Sequence, residues 1–142
     1  MTAGELVGRW QLTTWTASDE AGAVKMPFGE DPQGCLIYTA GGWMRVQLAA
    51  ANRAELATAT AFGGAEGERA DAYSSYVAYC GEYWLEGDVM VHRVRMSLYP
   101  NWVGREQRRF VELSGDRLVL QTPLIPVSGQ SPINRLSWAR AE

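Results

Sequence analysis

Alternation of apolar and polar side chains recurs in one short segment after another, and no other feature of this chain limits its fold as much. A β-strand turns successive side chains to opposite faces, so a period of two assigns each residue to a side. Trp10, Leu12 and Thr14 share a face, opposite Arg9, Gln11 and Thr13. Met44, Val46 and Leu48 oppose Trp43, Arg45 and Gln47, while Tyr79, Gly81, Tyr83 and Leu85 oppose Cys80, Glu82, Trp84 and Glu86. His92, Val94 and Met96 stand against Arg93, Arg95 and Ser97, and Leu118, Leu120 and Thr122 against Arg117, Val119 and Gln121. One apolar face repeated in this way suits a closed antiparallel sheet with a wet outer surface.

Turn signals separate these segments. Strands are expected over residues 8–17, 34–39 and 43–48, the last two joined through Ala40-Gly41-Gly42. A second hairpin pairs 79–86 with 89–98 across Gly87-Asp88, a third pairs 105–113 with 117–122 across Ser114-Gly115-Asp116, and 133–140 closes the chain. Residues 49–64, rich in alanine and threonine, have no period of two. Over 66–79, Ala70, Tyr73, Val77 and Cys80 fall at helical spacing opposite Glu66, Glu68, Arg69 and Asp71, which predicts one short helix. That helix and the loop before it are expected to form a lid over the open end of the barrel. No repeat or linker interrupts the pattern, so 1–142 reads as a single domain.

Composition excludes several classes of function. The 142 residues are 46% hydrophobic and 20% charged, with a net charge of -3, and the arginines are interspersed with carboxylates. That argues against a nucleic-acid partner, which needs a basic stripe. No run approaches the ~20 apolar residues of a membrane span, and the start carries no basic and apolar leader pattern. A cytoplasmic location is expected, with Cys35 and Cys80 as reduced, unpaired thiols. One histidine and two separated cysteines give no metal-site spacing. Gly63-Gly64 lacks the strand and lysine of a phosphate loop, and no Gly-x-Ser-x-Gly elbow occurs. Neither a metal nor a cofactor is expected, and no oligomeric state is indicated.

Several stretches resemble a known family. Leu6-Val7-Gly8-Arg9-Trp10 is similar to the Gly-x-Trp opening of lipocalins. Pro27-Phe28-Gly29-Glu30-Asp31-Pro32, followed by Gly34 and Leu36-Ile37-Tyr38-Thr39, resembles the bacterial and fungal lipocalin-like domain family. So do Tyr79-Cys80-Gly81, Tyr83, His92, Ser97-Leu98-Tyr99-Pro100-Asn101-Trp102-Val103-Gly104, Glu106-Gln107-Arg108-Arg109-Phe110 and Gly115-Asp116-Arg117-Leu118. The resemblance spans residues 6–138. It implies an all-β, closed, up-and-down antiparallel barrel of about eight strands, with room for one small ligand. Some relatives act as cyclases or isomerases in natural-product pathways, so the resemblance implies a fold and not a single reaction.

Few side chains offer chemistry. His92, in phase with Val94 and Met96, is placed inside, either as a general acid or base or as a core histidine satisfied by a tyrosine or carbonyl. Arg109 and Gln107 share a face with Leu113 and so point inward. A buried guanidinium needs a carboxylate, a carbonyl or a ligand anion; a bulge that reverses the register, or a pair with Glu106 or Glu82, would remove that need. Tyr38, Tyr79 and Tyr83 could orient a ligand carbonyl or donate a proton, or simply build the wall. Trp102 is placed at one rim, and Trp10 at the closed end with Arg140 stacked on it. The expected partner is a small apolar or amphipathic molecule in a cavity lined by Leu12, Tyr38, Met44, Val46, Tyr79 and Tyr83. His92, Val94, Met96, Trp102, Gln107, Arg109, Leu118 and Leu120 complete that lining. The alternative is a cofactor-free isomerase or cyclase acting on a polyketide-like or terpenoid substrate, with His92, Tyr83 and Arg109 as catalytic groups.

Overall fold

A computed structural model describes residues 1–122 and 132–142. The alternating segments become β1 (Gly8–Ser18), β3 (Gln33–Tyr38), β4 (Trp43–Ala49), β5 (Tyr76–Glu86) and β6 (Val89–Ser97). They continue as β7 (Glu106–Ser114), β8 (Arg117–Thr122) and β9 (Ile133–Arg140), with a two-residue β2 (Val24–Lys25) and one helix, α1 (Glu66–Ser74). Each strand pairs antiparallel with its neighbour in the order β1-β3-β4-β5-β6-β7-β8-β9, and β9 pairs back onto β1. The eight long strands thus close an up-and-down barrel, and β2 is appended to the far end of β1. Among the described residues closure leaves no long open edge.

The three tight hairpins gather at one end of the barrel, beside a short 3-10 turn, Ala3–Leu6. Leu6 and Trp10 are fully buried there, the indole N–H of Trp10 donates to the carbonyl of Leu6 at 2.9 Å, and the Arg140 guanidinium lies 4.2 Å above the ring. The stack expected between Arg140 and Trp10 is therefore formed. Arg140 is held in place by donating to the carbonyls of Val7 and Glu5 at 3.0 and 2.6 Å. The longer connections 19–32, 50–75 and 98–105 sit at the opposite end.

Two β-bulges correct the sequence-based faces. In β1 the register passes from Leu12–Trp138 to Thr14–Ser137, so Thr13 is the extra residue. Its hydroxyl donates to the Ser137 carbonyl at 2.9 Å. Beyond it the parity reverses: Thr14 is exposed, whereas Trp15 and Ala17 turn inward. In β6 the register passes from Gly81–Val94 to Cys80–Met96, leaving Arg95 unpaired. Met96, expected inside, therefore lies on the outer surface at 69% exposure. A bulge inserts one residue without changing local strand propensity, so simple alternation passes over it.

The second bulge presses β6 against β5, and a Cβ on Gly81 would overlap the backbone carbonyl of Arg93. Gly81→Ala is expected to destabilise the barrel by about 2–4 kcal/mol. Urea unfolding measures this, and a loss below about 1 kcal/mol would show that the two strands can separate freely at the bulge.

The helix ends sooner than its spacing suggests. Val77 and Cys80 belong to β5, with Val77 turned inward and Cys80 outward, because the strand pairing of Ala49 with Tyr76 takes over after Ser75. Glu68 accepts from the backbone N–H groups of Ala57 and Ala65, and Arg53 donates to Ser75 and Ala72. The guanidinium of Arg53 lies over the Tyr76 ring at 4.8 Å, on the outward side of β5. Cys35 and Cys80 are unpaired. Among the described residues no helix is long and apolar enough to cross a membrane.

Candidate functional site

The barrel interior is divided along its axis. Toward the hairpin end Tyr38, Met44, Tyr83 and Leu118 are buried in a packed core, and Leu12 and Val94, further along their strands, are buried in the surrounding wall. These six were expected to line a cavity; they fill the space instead. Parity assigns a side of the sheet and not a depth, which is why the sequence placed them together with the true lining. Tyr83 is committed by its hydroxyl, which donates to the Thr39 carbonyl at 2.6 Å.

Above this core lies a cavity of about 290 Å³. Seven of the expected residues reach it: Val46, Tyr79, His92, Gln107, Arg109 and Leu120 from the consecutive strands β4 to β8, and Trp102 from the turn after β6. Trp102 packs edge-to-face on Tyr79, with ring centroids 5.6 Å apart, and on Tyr99 at 5.3 Å. Trp15, Leu36 and Leu48 also line the cavity, as do Val77, Leu136 and Trp138. Leu36, Leu48 and the alternation of Asn134, Leu136 and Trp138 in β9 were readable by parity, whereas the bulge at Thr13 hid Trp15. No residue of 49–75 contributes to the wall, so the expected lid does not form part of this cavity.

His92 sits at the floor with both ring nitrogens engaged. The Tyr38 hydroxyl lies 2.7 Å from Nε2, and the Tyr79 hydroxyl lies 2.7 Å from Nδ1. Burial, and then the positive charge of Arg109, holds His92 well below the usual histidine range, so the imidazole is neutral. A neutral ring donates from one nitrogen and accepts at the other. Tyr38 is 1% exposed and has no second partner among the described residues, so its O–H donates to Nε2. Nδ1–H then donates to the Tyr79 oxygen. The reverse arrangement would leave the Tyr38 proton buried without an acceptor, at about 1–3 kcal/mol. The chain of bonds therefore ends in a free Tyr79 proton at the cavity wall. Burial pushes the Tyr79 phenol up, an effect opposed by nearby Arg109, so this group is a neutral donor.

Arg109 points inward, opposite Met90, with no bulge in β7 to reverse it. The carboxylates weighed as its partners are taken elsewhere: Glu106 by Arg108 at 2.9 Å, and Glu82 by Arg95 at 2.8 Å. Among the described residues Arg109 has no carboxylate partner. Its guanidinium makes long hydrogen bonds to the Arg108 carbonyl at 3.3 Å and the Gln107 amide oxygen at 3.5 Å, and it also reaches the Tyr79 hydroxyl oxygen. The geometry gives an apolar chamber with a cation on one wall and a prearranged hydroxyl donor beside it.

A model of the lipocalin-like domain matches residues 7–141. The chain is 36% identical over 87 residues to the 4'-hydroxy-3'-methoxypropiophenone carrier protein ppsC of Aspergillus oryzae, an alignment covering 54% of this chain and 78% of the relative. Among solved structures, a mutant of the fluorescent protein UnaG aligns over 99% of both chains at a TM-score of 0.45 and 15% identity.

Proposed function

The chain belongs to the lipocalin-like domain family, and from that premise we propose that it is a carrier that holds one small, largely apolar, ring-bearing molecule in the barrel cavity. The observation that carries this reading is the chamber itself. Its volume of about 290 Å³ lies at the lower edge of the ~300–1,000 Å³ range of ligand pockets. That favours a compact aromatic molecule over a long chain. Aromatic walls from Trp15, Trp102 and Trp138 suit offset or edge-on contact with such a ring. The similarity to a propiophenone carrier points the same way.

The isomerase or cyclase reading is disfavoured by the state of His92. A general base needs a free nitrogen and a pKa near the working pH. Here both nitrogens are held by tyrosines, and burial keeps the ring neutral.

Quenching of tryptophan fluorescence by a panel of substituted aryl ketones, the propiophenone of the Aspergillus relative included, tests carriage. Micromolar dissociation constants are expected, roughly -7 to -8 kcal/mol, with each compound recovered chemically unchanged. Recovery of an isomerised or cyclised product would replace carriage with catalysis. Absence of binding across the panel and of acidic aryl probes alike would remove the ligand-site reading.

A further inference from the structure

The described lining of the cavity holds one cation, Arg109, and no carboxylate; its other polar side chains are Tyr79, His92, Gln107, Thr122, Asn134 and the indoles of Trp15, Trp102 and Trp138. Two amide oxygens in the lining are already engaged. Gln107 accepts from Arg109 at 3.5 Å, and Asn134 accepts from the Trp15 indole at 2.9 Å. Trp138 is 1% exposed, and its Nε1–H has no acceptor among the described residues. A buried donor without a partner costs about as much as a lost hydrogen bond. The half-buried guanidinium of Arg109 lacks a counter-charge among the described residues. The guanidinium and the Tyr79 proton are both relieved by an occupant that presents an acceptor oxygen.

Resting on the carrier reading above, we infer that the ligand is a small aromatic acid in the broad sense, a molecule whose phenol, enol or carboxyl oxygen is bound as the anion by Arg109 and Tyr79. The Tyr79 proton, freed by the His92 arrangement, donates to that oxygen while Arg109 supplies the opposite charge. The low dielectric of the chamber strengthens both contacts. A neutral ketone satisfies the donors but leaves the guanidinium uncompensated, and so binds less tightly.

The test uses 4-nitrophenol and its methyl ether, 4-nitroanisole, which share a ring and differ in whether an anionic oxygen is available. Binding of each is read by tryptophan quenching above the pKa of the phenol, and nitrophenolate absorbance against pH reports the protonation of the bound probe. The phenolate is expected to bind at least about tenfold tighter than the ether, and the bound phenol to lose its proton about one pH unit earlier than in water. Arg109→Gln should abolish both differences while leaving the thermal midpoint little changed, since a half-buried charge without a carboxylate partner is removed. Equal binding of the two probes with no shift in protonation overturns the acid assignment and leaves carriage standing. Failure of both probes and of the ketone panel overturns carriage, and this assignment with it. If Arg109→Gln does not fold, the comparison of the two probes on the parent protein decides alone.

Discussion

Replacing His92 with alanine is expected to destabilise the barrel by about 3–5 kcal/mol, more than its size alone would suggest. The imidazole joins two tyrosine hydroxyls on the cavity floor, each at 2.7 Å. Removing it orphans both, and each costs about 1–3 kcal/mol when left without a partner. The space vacated adds a further penalty. For a chain of this length the thermal midpoint should fall by about 10–15 °C. A midpoint change under about 3 °C would show that the floor reorganises without the ring.

The same residue sets an acid limit. His92 is the chain's single histidine, and its folded pKa lies below its ordinary value of 6.5. Below that pH the unfolded chain takes up a proton that the folded chain refuses. The stabilisation is thus present above about 6.5 and is lost as pH falls toward the folded value, by up to about 1.4 kcal/mol per unit. Stability measured between pH 7 and 5 should show this slope. His92→Gln should flatten it, because the exposed carboxylates titrate lower.

Trp10→Ala is the second large effect, expected at about 4–5 kcal/mol. The indole is fully buried, donates to Leu6 and supports the stacked Arg140. Its loss leaves the closed end without a floor and frees Arg140 from the ring. Trp10→Phe keeps most of the packing and should cost about half as much. Chemical unfolding of both variants checks the ranking, and an equal loss would assign the effect to the indole N–H alone.

Much of this architecture is legible from alternation alone. Trp10, Leu12, Met44, Val46, Tyr79, His92 and Leu120 all face inward as their parity requires. Arg109 does too, although nothing in sequence could exclude a bulge beside it. What alternation could not supply was position along the barrel axis. Tyr38 and Tyr79 have the same parity and residue type, yet one is sealed in the core and the other lines the chamber. The bulges at Thr13 and Arg95 were equally silent, since each is a matter of one extra residue in the pairing of two strands, whether distant in the chain or joined in a hairpin. The fate of His92 was open for a different reason. Whether its nitrogens are free depends on Tyr38, 54 residues away in the chain.

The bulge in β1 also marks where tolerance to change begins. Leu12, before the extra residue, is packed; Trp15, just after it, belongs to the chamber. Substitution in the packed half disturbs close-fitting neighbours, whereas substitution in the chamber wall alters volume and polarity with less effect on folding. A barrel divided in this way can diverge in what it carries while inheriting the same folding core, so a library confined to Trp15, Val77, Thr122 and Leu136 should change ligand preference with few unfolded members.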